Sequence, residues 1–98
     1  MVKVEVYGRL RSITDKSEVE VRSDVKTLRD LLLELKEKFG EDFYKDIVDE
    51  VADNIKIGII LTVNGVGVAL EKGLETEIKK DDKIYIDSIG FIPLEGGG

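Results

Sequence analysis

The feature that most constrains the fold is a run of apolar residues with helical spacing near the middle of the chain. These residues recur every three or four positions and therefore share one helix face; they are Leu28, Leu31, Leu32, Leu35 and Phe39. Thr27 precedes the run, Asp30 stands three residues later as in a capping box, and Gly40 follows the run. We therefore predict a helix over 28–39, and its apolar face must be buried against another element.

Alternating segments near the N-terminus predict the first part of that element. Val2, Val4 and Val6 alternate with polar or charged residues, which is the period of a half-buried strand. Val19 and Val21 repeat the pattern after a short connection. A connection of this length joins antiparallel neighbours, so the two strands should form a hairpin.

Two further apolar segments lie in the second half of the chain. Residues 57–63 are almost continuously apolar, and Asn64-Gly65 follows them, which is a strong hairpin signal because both positions tolerate positive φ. Residues 83–89 alternate again and predict the last strand. The return strand of the hairpin is predicted from three alternating apolar residues, Val66, Val68 and Leu70.

Two connecting segments carry weaker patterns. Residues 41–54 predict either a second, shorter helix, with an apolar face made of Phe43, Ile47, Val48 and Val51, or a mobile insertion. The acidic residues of this segment do not have the spacing of a calcium loop, so they predict a solvated face. Residues 71–82 are polar and predict a crossover, in which a single helical turn is anchored by Leu74 and Ile78.

The order of these elements predicts an α+β fold. The first and last strands can pair in parallel because a long crossover separates them, and the main helix can cover one face of the sheet. The predicted architecture is a β-grasp, or ubiquitin-like, mixed sheet packed on one main helix. A ferredoxin-like split βαβ arrangement is the main alternative. It would require a well-formed helix within 71–82, and that segment is too polar.

The C-terminal segment reads Phe-Ile-Pro-Leu-Glu-Gly-Gly-Gly over residues 91–98. Glycine is disfavoured inside helices and strands, so we predict a domain over 1–90 and a flexible, unpacked tail over 91–98. Eight extended residues reach roughly 25 Å, which would hold the terminal carboxylate of Gly98 away from the domain. Without side chains, the final glycines could enter a narrow channel. A frayed end or a cloning remnant is the alternative interpretation.

The composition excludes several kinds of active site. The chain has no cysteine and no histidine, which removes thiolate nucleophiles, the commonest general base and the commonest metal ligands. The four serines therefore have no histidine to activate them; they are Ser12, Ser17, Ser23 and Ser88. We predict no catalytic residue, no metal ligand and no bound cofactor.

Charge and hydropathy narrow the class of partner. The net charge of −6 argues against nucleic acid and favours basic surfaces of other proteins. No apolar run approaches the ~20 residues of a membrane span, and a strand pattern rather than a signal peptide follows Met1. These features predict a cytoplasmic protein without a membrane or nucleic-acid partner.

Several stretches resemble the molybdopterin synthase small subunits. Residues 4–11 resemble the opening strand and the Arg-Leu-Arg turn of that family, and residues 28–32 resemble its helix start. Residues 63–65 match its strand-to-hairpin signal, and residues 80–84 are similar to its entry into the last strand. The terminal Gly-Gly is the functional signature of the family, which shares its fold and terminus with thiamine-pathway sulfur carriers and archaeal ubiquitin-like modifiers.

The chain departs from the family pattern in its tail. The family usually carries two adjacent prolines before its diglycine, whereas this chain has only Pro93 and ends in three glycines instead of two. The acceptor carboxylate implied by the resemblance is still that of Gly98.

The resemblance implies a carrier rather than an enzyme. A ubiquitin-activating-like adenylating enzyme would use ATP to convert the Gly98 carboxylate into an acyl adenylate, and sulfur would then replace AMP to give a thiocarboxylate. Gly96 and Gly97 would thread the active site of that partner. The docking residues beside the tail would be Phe91, Ile92 and Leu94, although Phe91 could equally cap the core of the domain.

The favoured pathway is molybdopterin or tungstopterin cofactor biosynthesis, with the molybdopterin synthase large subunit as a further partner. Two alternatives remain open. The chain could be a ubiquitin-like modifier that is joined through Gly98 to lysines of other proteins. It could also be a non-catalytic ubiquitin-like interaction domain that binds a partner through its sheet and does not use its terminus.

Overall fold

Most of the chain is arranged as short strands around one long helix, and the computed structural model describes residues 1–22 and 24–88. The strands are β1 (Val2–Val6), β2 (Glu18–Val21), β3 (Val48–Asp49), β4 (Asn54–Ile55), β5 (Ile59–Val63), β6 (Val66–Gly67) and β7 (Lys83–Ser88). The helices are α1 (Arg11–Thr14), α2 (Leu28–Phe39) and α3 (Glu41–Ile47). Short 3₁₀ turns cover Gly8–Leu10 and Gly73–Glu75.

The main sheet has five strands in the order β2-β1-β7-β5-β6, and β3 and β4 form a separate hairpin. Strand β1 pairs antiparallel with β2 and parallel with β7, so that Val4 lies between Val19 and Ile84. Strand β5 pairs antiparallel with both β7 and β6. The first and last strands are therefore adjacent and parallel, and the predicted β-grasp fold is confirmed.

Helix α2 forms where the sequence predicts it. Thr27 and Asp30 make a full capping box: the Thr27 hydroxyl accepts the Asp30 N–H at 3.2 Å, and the Asp30 carboxylate accepts the Thr27 N–H at 3.3 Å. The helix ends at Gly40, whose φ of 99° favours glycine.

The core lies between α2 and one face of the sheet. The four leucines of the predicted helix face are almost fully buried, and Phe39 packs partly buried at the edge of the core. Alternate residues of the strands meet them, and the side chains of Val4, Val6, Ile84 and Ile86 are no more than 1% exposed. The core assignment made from periodicity is confirmed.

The predicted helix over 41–54 is wrong in its second half. Helix α3 ends at Ile47, and the chain then forms the β3–β4 hairpin. The Asp49 carboxylate accepts the N–H groups of Val51 and Ala52 at 3.0 and 3.1 Å, which competes with helical hydrogen bonding. Val51, predicted on the apolar face, is 99% exposed as a result. Phe43, Ile47 and Val48 are buried as predicted.

The predicted strand over 57–63 begins later than its apolar run. Ile57 is 98% exposed and lies with Gly58, which has a φ of 96°, in a turn closed by the Ile59 N–H to the Lys56 carbonyl. Strand β5 starts only after that turn. The prediction from hydropathy therefore placed the start of this strand two residues too early.

The Asn64-Gly65 hairpin is confirmed, but its return strand is shorter than predicted. Asn64 and Gly65 have φ values of 53° and 85°. Strand β6 contains only two residues, because the Val68 carbonyl accepts N–H groups from the following turn and the chain bends away from the sheet. Val68 is buried as predicted, whereas Val66 is 63% and Leu70 is 98% exposed.

The crossover to β7 is anchored as predicted. Leu74 and Ile78 are buried, and the 3₁₀ turn supplies the single helical turn. The Ile78 N–H donates to the Lys26 carbonyl at 2.9 Å, which attaches the crossover to the start of α2. Within residues 1–22 and 24–88, no helix is long and apolar enough to span a membrane.

Candidate functional site

The residues predicted to carry function lie beyond the last described strand. Gly96, Gly97 and Gly98, and the predicted docking residues, which are Phe91, Ile92 and Leu94, fall outside the described residues. The division into a domain over 1–90 and a tail over 91–98 also stays a prediction. What the structure describes is the domain that carries these residues and the strand that leads to them.

Strand β7, which precedes the predicted tail, lies at the centre of the sheet. It pairs with β1 on one side and with β5 on the other, and Ser88 at its end lies opposite Ile59. Ile84 and Ile86 on its inner side are buried in the core. Two neighbouring strands and the core therefore fix the position of Ser88, the last described residue before the predicted tail.

The turn after β1 contacts the end of β7 closely. The Arg9 N–H donates to Ser88 Oγ at 3.0 Å, and the Tyr7 N–H donates to the Ile86 carbonyl at 2.9 Å. Gly8 has a φ of 70°, and a Cβ there would stand 2.6 Å from both Asp87 Oδ1 and Ser88 Oγ. Only glycine fits at this position without displacing the end of β7.

The opposite face of the sheet from α2 carries an aromatic pair near this end. The Tyr7 and Tyr85 rings lie 5.3 Å apart between centroids, and the Tyr85 hydroxyl donates to Asp87 Oδ2 at 2.9 Å. This hydrogen bond to a carboxylate is the first cause of the raised pKa of Tyr85. Thr62 lies opposite Tyr85, and the half-exposed Ile60 lies opposite Asp87. The outer face thus offers a mixed apolar and polar surface beside Ser88.

Several acidic residues of the described chain make structural contacts. Glu41 pairs with Lys45 at 3.1 Å, which is the main cause of the lowered pKa of Glu41. Asp49 closes a turn through its carboxylate. Within residues 1–22 and 24–88, no group of three or more histidine, cysteine, aspartate or glutamate side chains is placed to hold a metal ion.

One cluster of charges was not found by reading the sequence. The Arg29 guanidinium contacts Asp53 with two hydrogen bonds of 2.9 and 2.8 Å, and it also contacts Glu75 at 2.9 and 2.7 Å. These bonds raise the pKa of Arg29 and lower the pKa of Asp53. They join the first turn of α2 to the β3–β4 hairpin and to the crossover. The three residues have no shared spacing in the sequence that could have revealed the cluster.

The chain is similar to known proteins both in sequence family and in fold. The model of the ThiS family matches residues 4–98. The structure is similar to the solution structure of small archaeal modifier protein 1 from Methanosarcina acetivorans, with a TM-score of 0.73 and 26% identity over 94% of this chain and 95% of that chain. A search of curated proteins found no match.

Two further solved structures share the fold. One is a chain of the BexX/CysO complex of Amycolatopsis orientalis, with a TM-score of 0.80 and 22% identity over 95% of this chain and 100% of that chain. The other is described as a putative molybdopterin converting factor, subunit 1, from Pyrococcus furiosus, with a TM-score of 0.61 and 24% identity over 89% of this chain and 94% of that chain. At identities this low, the structural similarity establishes a common fold and no more.

Proposed function

The chain belongs to the ThiS family of ubiquitin-like proteins, and from that premise we propose that it is a sulfur carrier whose Gly98 carboxylate accepts sulfur. The observation that carries the proposal is the family match, which includes the glycines at residues 96–98 as well as the β-grasp domain. In this proposal the chain is not an enzyme and binds no cofactor of its own.

The chemistry requires activation of the carboxylate by a partner. A carboxylate is a poor acyl donor because its leaving group would be oxide. A partner adenylating enzyme transfers AMP from ATP to the Gly98 carboxylate and releases pyrophosphate. Sulfide (HS⁻) delivered by the partner system then attacks the acyl carbon, the bond from that carbon to the AMP oxygen breaks, AMP leaves, and a thiocarboxylate remains. The active site of the partner must exclude water, since water would hydrolyse the adenylate.

In this proposal the domain provides a docking surface, and the residues after β7 extend Gly98 away from it. Ten residues, 89–98, follow Ser88, and ten extended residues span roughly 33 Å. Gly96 and Gly97 would enter the partner site, where the absence of side chains lets the backbone approach closely. The sheet face around Tyr7 and Tyr85, together with the predicted docking residues of the tail, would contact the body of the partner.

The proposed pathway is molybdopterin or tungstopterin cofactor biosynthesis in the cytoplasm. The molybdopterin synthase large subunit would receive the sulfur-loaded chain. Support comes from the Arg9-Leu10-Arg11 turn and the Asn64-Gly65 hairpin, which resemble the molybdopterin synthase small subunits. The fold shared with a putative molybdopterin converting factor subunit from Pyrococcus furiosus is compatible with this pathway.

A second candidate function is protein modification. It is favoured by the 26% identity with a protein described as a small archaeal modifier. In this alternative a lysine amine attacks the adenylated Gly98 carbonyl, AMP leaves, and an isopeptide bond forms. The two candidates share the activation step and differ in the group that finally attacks the acyl carbon.

Intact-mass measurement of the protein recovered from its native cells separates the two candidates. A sulfur carrier should show a fraction of free chain whose mass has increased by the replacement of one oxygen by sulfur. A modifier should instead give digested lysates in which lysines carry a remnant derived from Gly98. A modifier result without any thiocarboxylate would overturn the sulfur-carrier proposal.

A chain lacking Gly97 and Gly98 is the control for both candidates. It keeps the whole β-grasp domain, so it should fold like the full chain and yet give neither product. If the shortened chain supports growth and partner binding as well as the full chain, the terminus is not used. The interaction-domain alternative would then be the better account.

A further inference from the structure

The Asn64-Gly65 turn is attached to the start of β7 by the side chain of its asparagine. Asn64 Nδ2 donates to Asp82 Oδ1 at 2.9 Å, and Asn64 Oδ1 accepts the Lys83 N–H, also at 2.9 Å. The Asn64 N–H donates to the Lys83 carbonyl at 2.8 Å. A two-residue turn needs only the positive φ of its two central residues. The turn conformation therefore does not account for these contacts of the carboxamide.

Asparagine followed by glycine is also a pair prone to lose the side-chain amide, because glycine leaves its backbone nitrogen unobstructed. The Gly65 nitrogen gives its proton to hydroxide and attacks Asn64 Cγ. The Cγ–Nδ2 bond breaks, Nδ2 leaves as ammonia with a proton from water, and a cyclic succinimide forms. Water then adds to one of the two ring carbonyls and opens the ring to aspartate or isoaspartate. The reaction needs no oxidant, reductant or enzyme.

The structure leaves the attacking nitrogen open and holds the carbon that it would attack. Asn64 and Gly65 are exposed, and a Cβ at Gly65 would meet no atom within 4 Å, so water and hydroxide reach the turn. Ring closure requires the Asn64 side chain to turn toward the Gly65 nitrogen. The bonds to Asp82 and Lys83 instead hold the carboxamide at the start of β7, and they must break before the ring can close.

The carboxylate that holds Asn64 is itself fixed by a separate turn. Asp82 Oδ2 accepts the Lys79 N–H at 2.7 Å, and the Asp82 N–H donates to the Lys79 carbonyl at 3.0 Å. Asp82 thus uses one carboxylate oxygen for its own turn and the other for Asn64. A bond from an amide to a carboxylate is charge-assisted and stronger than one between neutral groups.

We propose that Asn64 is a deamidation site that the fold keeps unreactive. The protecting contacts are the two side-chain bonds from Asn64 to Asp82 and Lys83, here called the Asn64 clamp. While the clamp is closed, the carboxamide cannot reach the Gly65 nitrogen. When the turn opens, Asn64-Gly65 reacts as it would in an unfolded peptide. This inference does not depend on how Gly98 is used.

The reaction would also prevent the clamp from closing again. In the aspartate product an oxygen replaces Nδ2, so two carboxylate oxygens would face each other where Asn64 now donates to Asp82. Like charges at this separation repel. The isoaspartate product in addition routes the backbone through Cβ, which adds one atom to a two-residue turn. Deamidation should therefore detach the β5–β6 turn from the start of β7.

The first measurement compares the full-length protein with a synthetic peptide of residues 61–67 in the same mildly alkaline buffer, far below the thermal midpoint of the protein. Peptide mapping follows the aspartate and isoaspartate that form at position 64. The folded chain should react more slowly than the peptide by about tenfold or more, because two hydrogen bonds must break before the ring closes.

Asp82→Asn tests the clamp itself. The new amide keeps the shape of the carboxylate but has one acceptor oxygen for two N–H donors, those of Asn64 and Lys79. Deamidation at position 64 should become faster by about tenfold, which corresponds to the loss of one charge-assisted hydrogen bond. Asp81→Asn is the matched control, because it removes the same charge from the neighbouring exposed position, and it should leave the rate unchanged. Thermal midpoints measured alongside identify any contribution from global unfolding.

Asn64→Asp reproduces the aspartate product and tests its effect on the fold. It should lower the thermal midpoint, because the new carboxylate faces Asp82. Combining Asn64→Asp with Asp82→Asn exchanges the amide and the carboxylate between the two positions. The amide at position 82 can then donate to position 64 and still accept the Lys79 N–H. This double variant should recover most of the lost stability and show no deamidation at position 64.

Each measurement has a result that would overturn the inference. A folded chain that deamidates as fast as the peptide would show that the clamp gives no protection. An unchanged rate in Asp82→Asn, or an equal acceleration in Asp81→Asn, would show that the bond to Asp82 does not hold the carboxamide. If Asn64→Asp loses no stability, or if the double variant regains none, the product does not break the clamp.

Discussion

The α2–sheet core and the β3–β4 hairpin are held in place by different kinds of contact. Leu28, Leu31 and Leu35 are fully buried and pack with strand residues in one apolar core. The hairpin buries an apolar side chain at Val48 and Ile55, but its turn is exposed and is linked to the rest of the domain through Asp53 and Arg29. The buried apolar residues follow a periodic sequence pattern. The Arg29–Asp53 ion pair instead forms because the fold brings the turn of the hairpin next to the first turn of α2.

The core and the hairpin should also contribute differently to global and local stability. Removal of a fully buried leucine leaves a cavity in the only large core of the described domain, so the whole fold is weakened. Removal of an exposed ion pair should destabilise only the element that the pair holds in place, because exposed ion pairs contribute little to global stability.

The largest effect should come from Leu31→Ala. We expect the free energy of unfolding to fall by about 2–5 kcal/mol, because the substitution removes buried methyl groups and leaves a cavity. Urea denaturation measures the loss. Leu33→Ala on the same helix is the matched control, since Leu33 is 41% exposed and should lose far less. Near-zero losses at both Leu31 and Leu32 would show that the core is wrongly assigned.

A local effect should come from Arg29→Gln. This change removes the bonds to Asp53 and Glu75, so we expect faster amide hydrogen exchange in β3 and β4, with little change in β1 and β7. Arg29→Lys should behave similarly, because an ammonium group cannot make the two-bond contact with a carboxylate.

Arg22→Gln is the matched control for the Arg29 experiment. The exposed Arg22 guanidinium also forms an ion pair, with the Glu34 carboxylate at 2.9 Å, but it lies away from the hairpin. Its loss should leave exchange in β3 and β4 unchanged. If Arg29→Gln also leaves that exchange unchanged, the burial of Val48 and Ile55 alone must hold the hairpin.

The smallest effect should be a dependence of hairpin stability on pH. Hydrogen bonds from Arg29 lower the pKa of Asp53 in the folded state. The carboxylate therefore stabilises the folded hairpin above its ordinary pKa of about 4, and this contribution is lost as the pH falls through the lowered folded value. Hydrogen exchange in β3 and β4, corrected for its intrinsic pH dependence, should show the loss below about pH 4.

Asp53→Asn should remove the part of this acid sensitivity that belongs to Asp53. The asparagine has no titrating carboxylate, so the variant should start less stable and change less with pH. Glu41, whose pKa is lowered by Lys45, contributes a separate acid sensitivity in α3 and serves as an internal comparison. A variant with the full wild-type acid response would show that the Arg29–Asp53 contact does not control the hairpin.

Reading the sequence predicted the parts of the fold that depend on near neighbours. Helix α2 and its capping box follow from residues within one or two turns of each other, and β1, β2 and β7 follow from simple alternation. The Asn64-Gly65 turn follows from the conformations that two adjacent residues tolerate. The parallel pairing of β1 and β7 followed from element order and connection length.

The errors occurred where a side chain or a turn interrupts a pattern. The Asp49 carboxylate ends the helical pattern that Val48 and Val51 seemed to continue, because it bonds the next backbone N–H groups. The turn at Gly58 leaves Ile57 outside the sheet, although its hydropathy matches the strand that follows. Hydropathy records what a side chain prefers, and the local hydrogen bonds decide where the chain turns.

Local sequence patterns were sufficient to predict the β-grasp core and to select Gly96, Gly97 and Gly98 as candidate functional residues, because periodicity and a glycine run need no knowledge of distant residues. Which residues contact the end of β7 became clear only from the folded chain. Ser88 meets the Arg9 N–H across 79 positions, and this contact exists because β1 and β7 lie side by side. A pattern between neighbouring residues is visible in the sequence, whereas a contact between distant ones depends on the folded path of the chain.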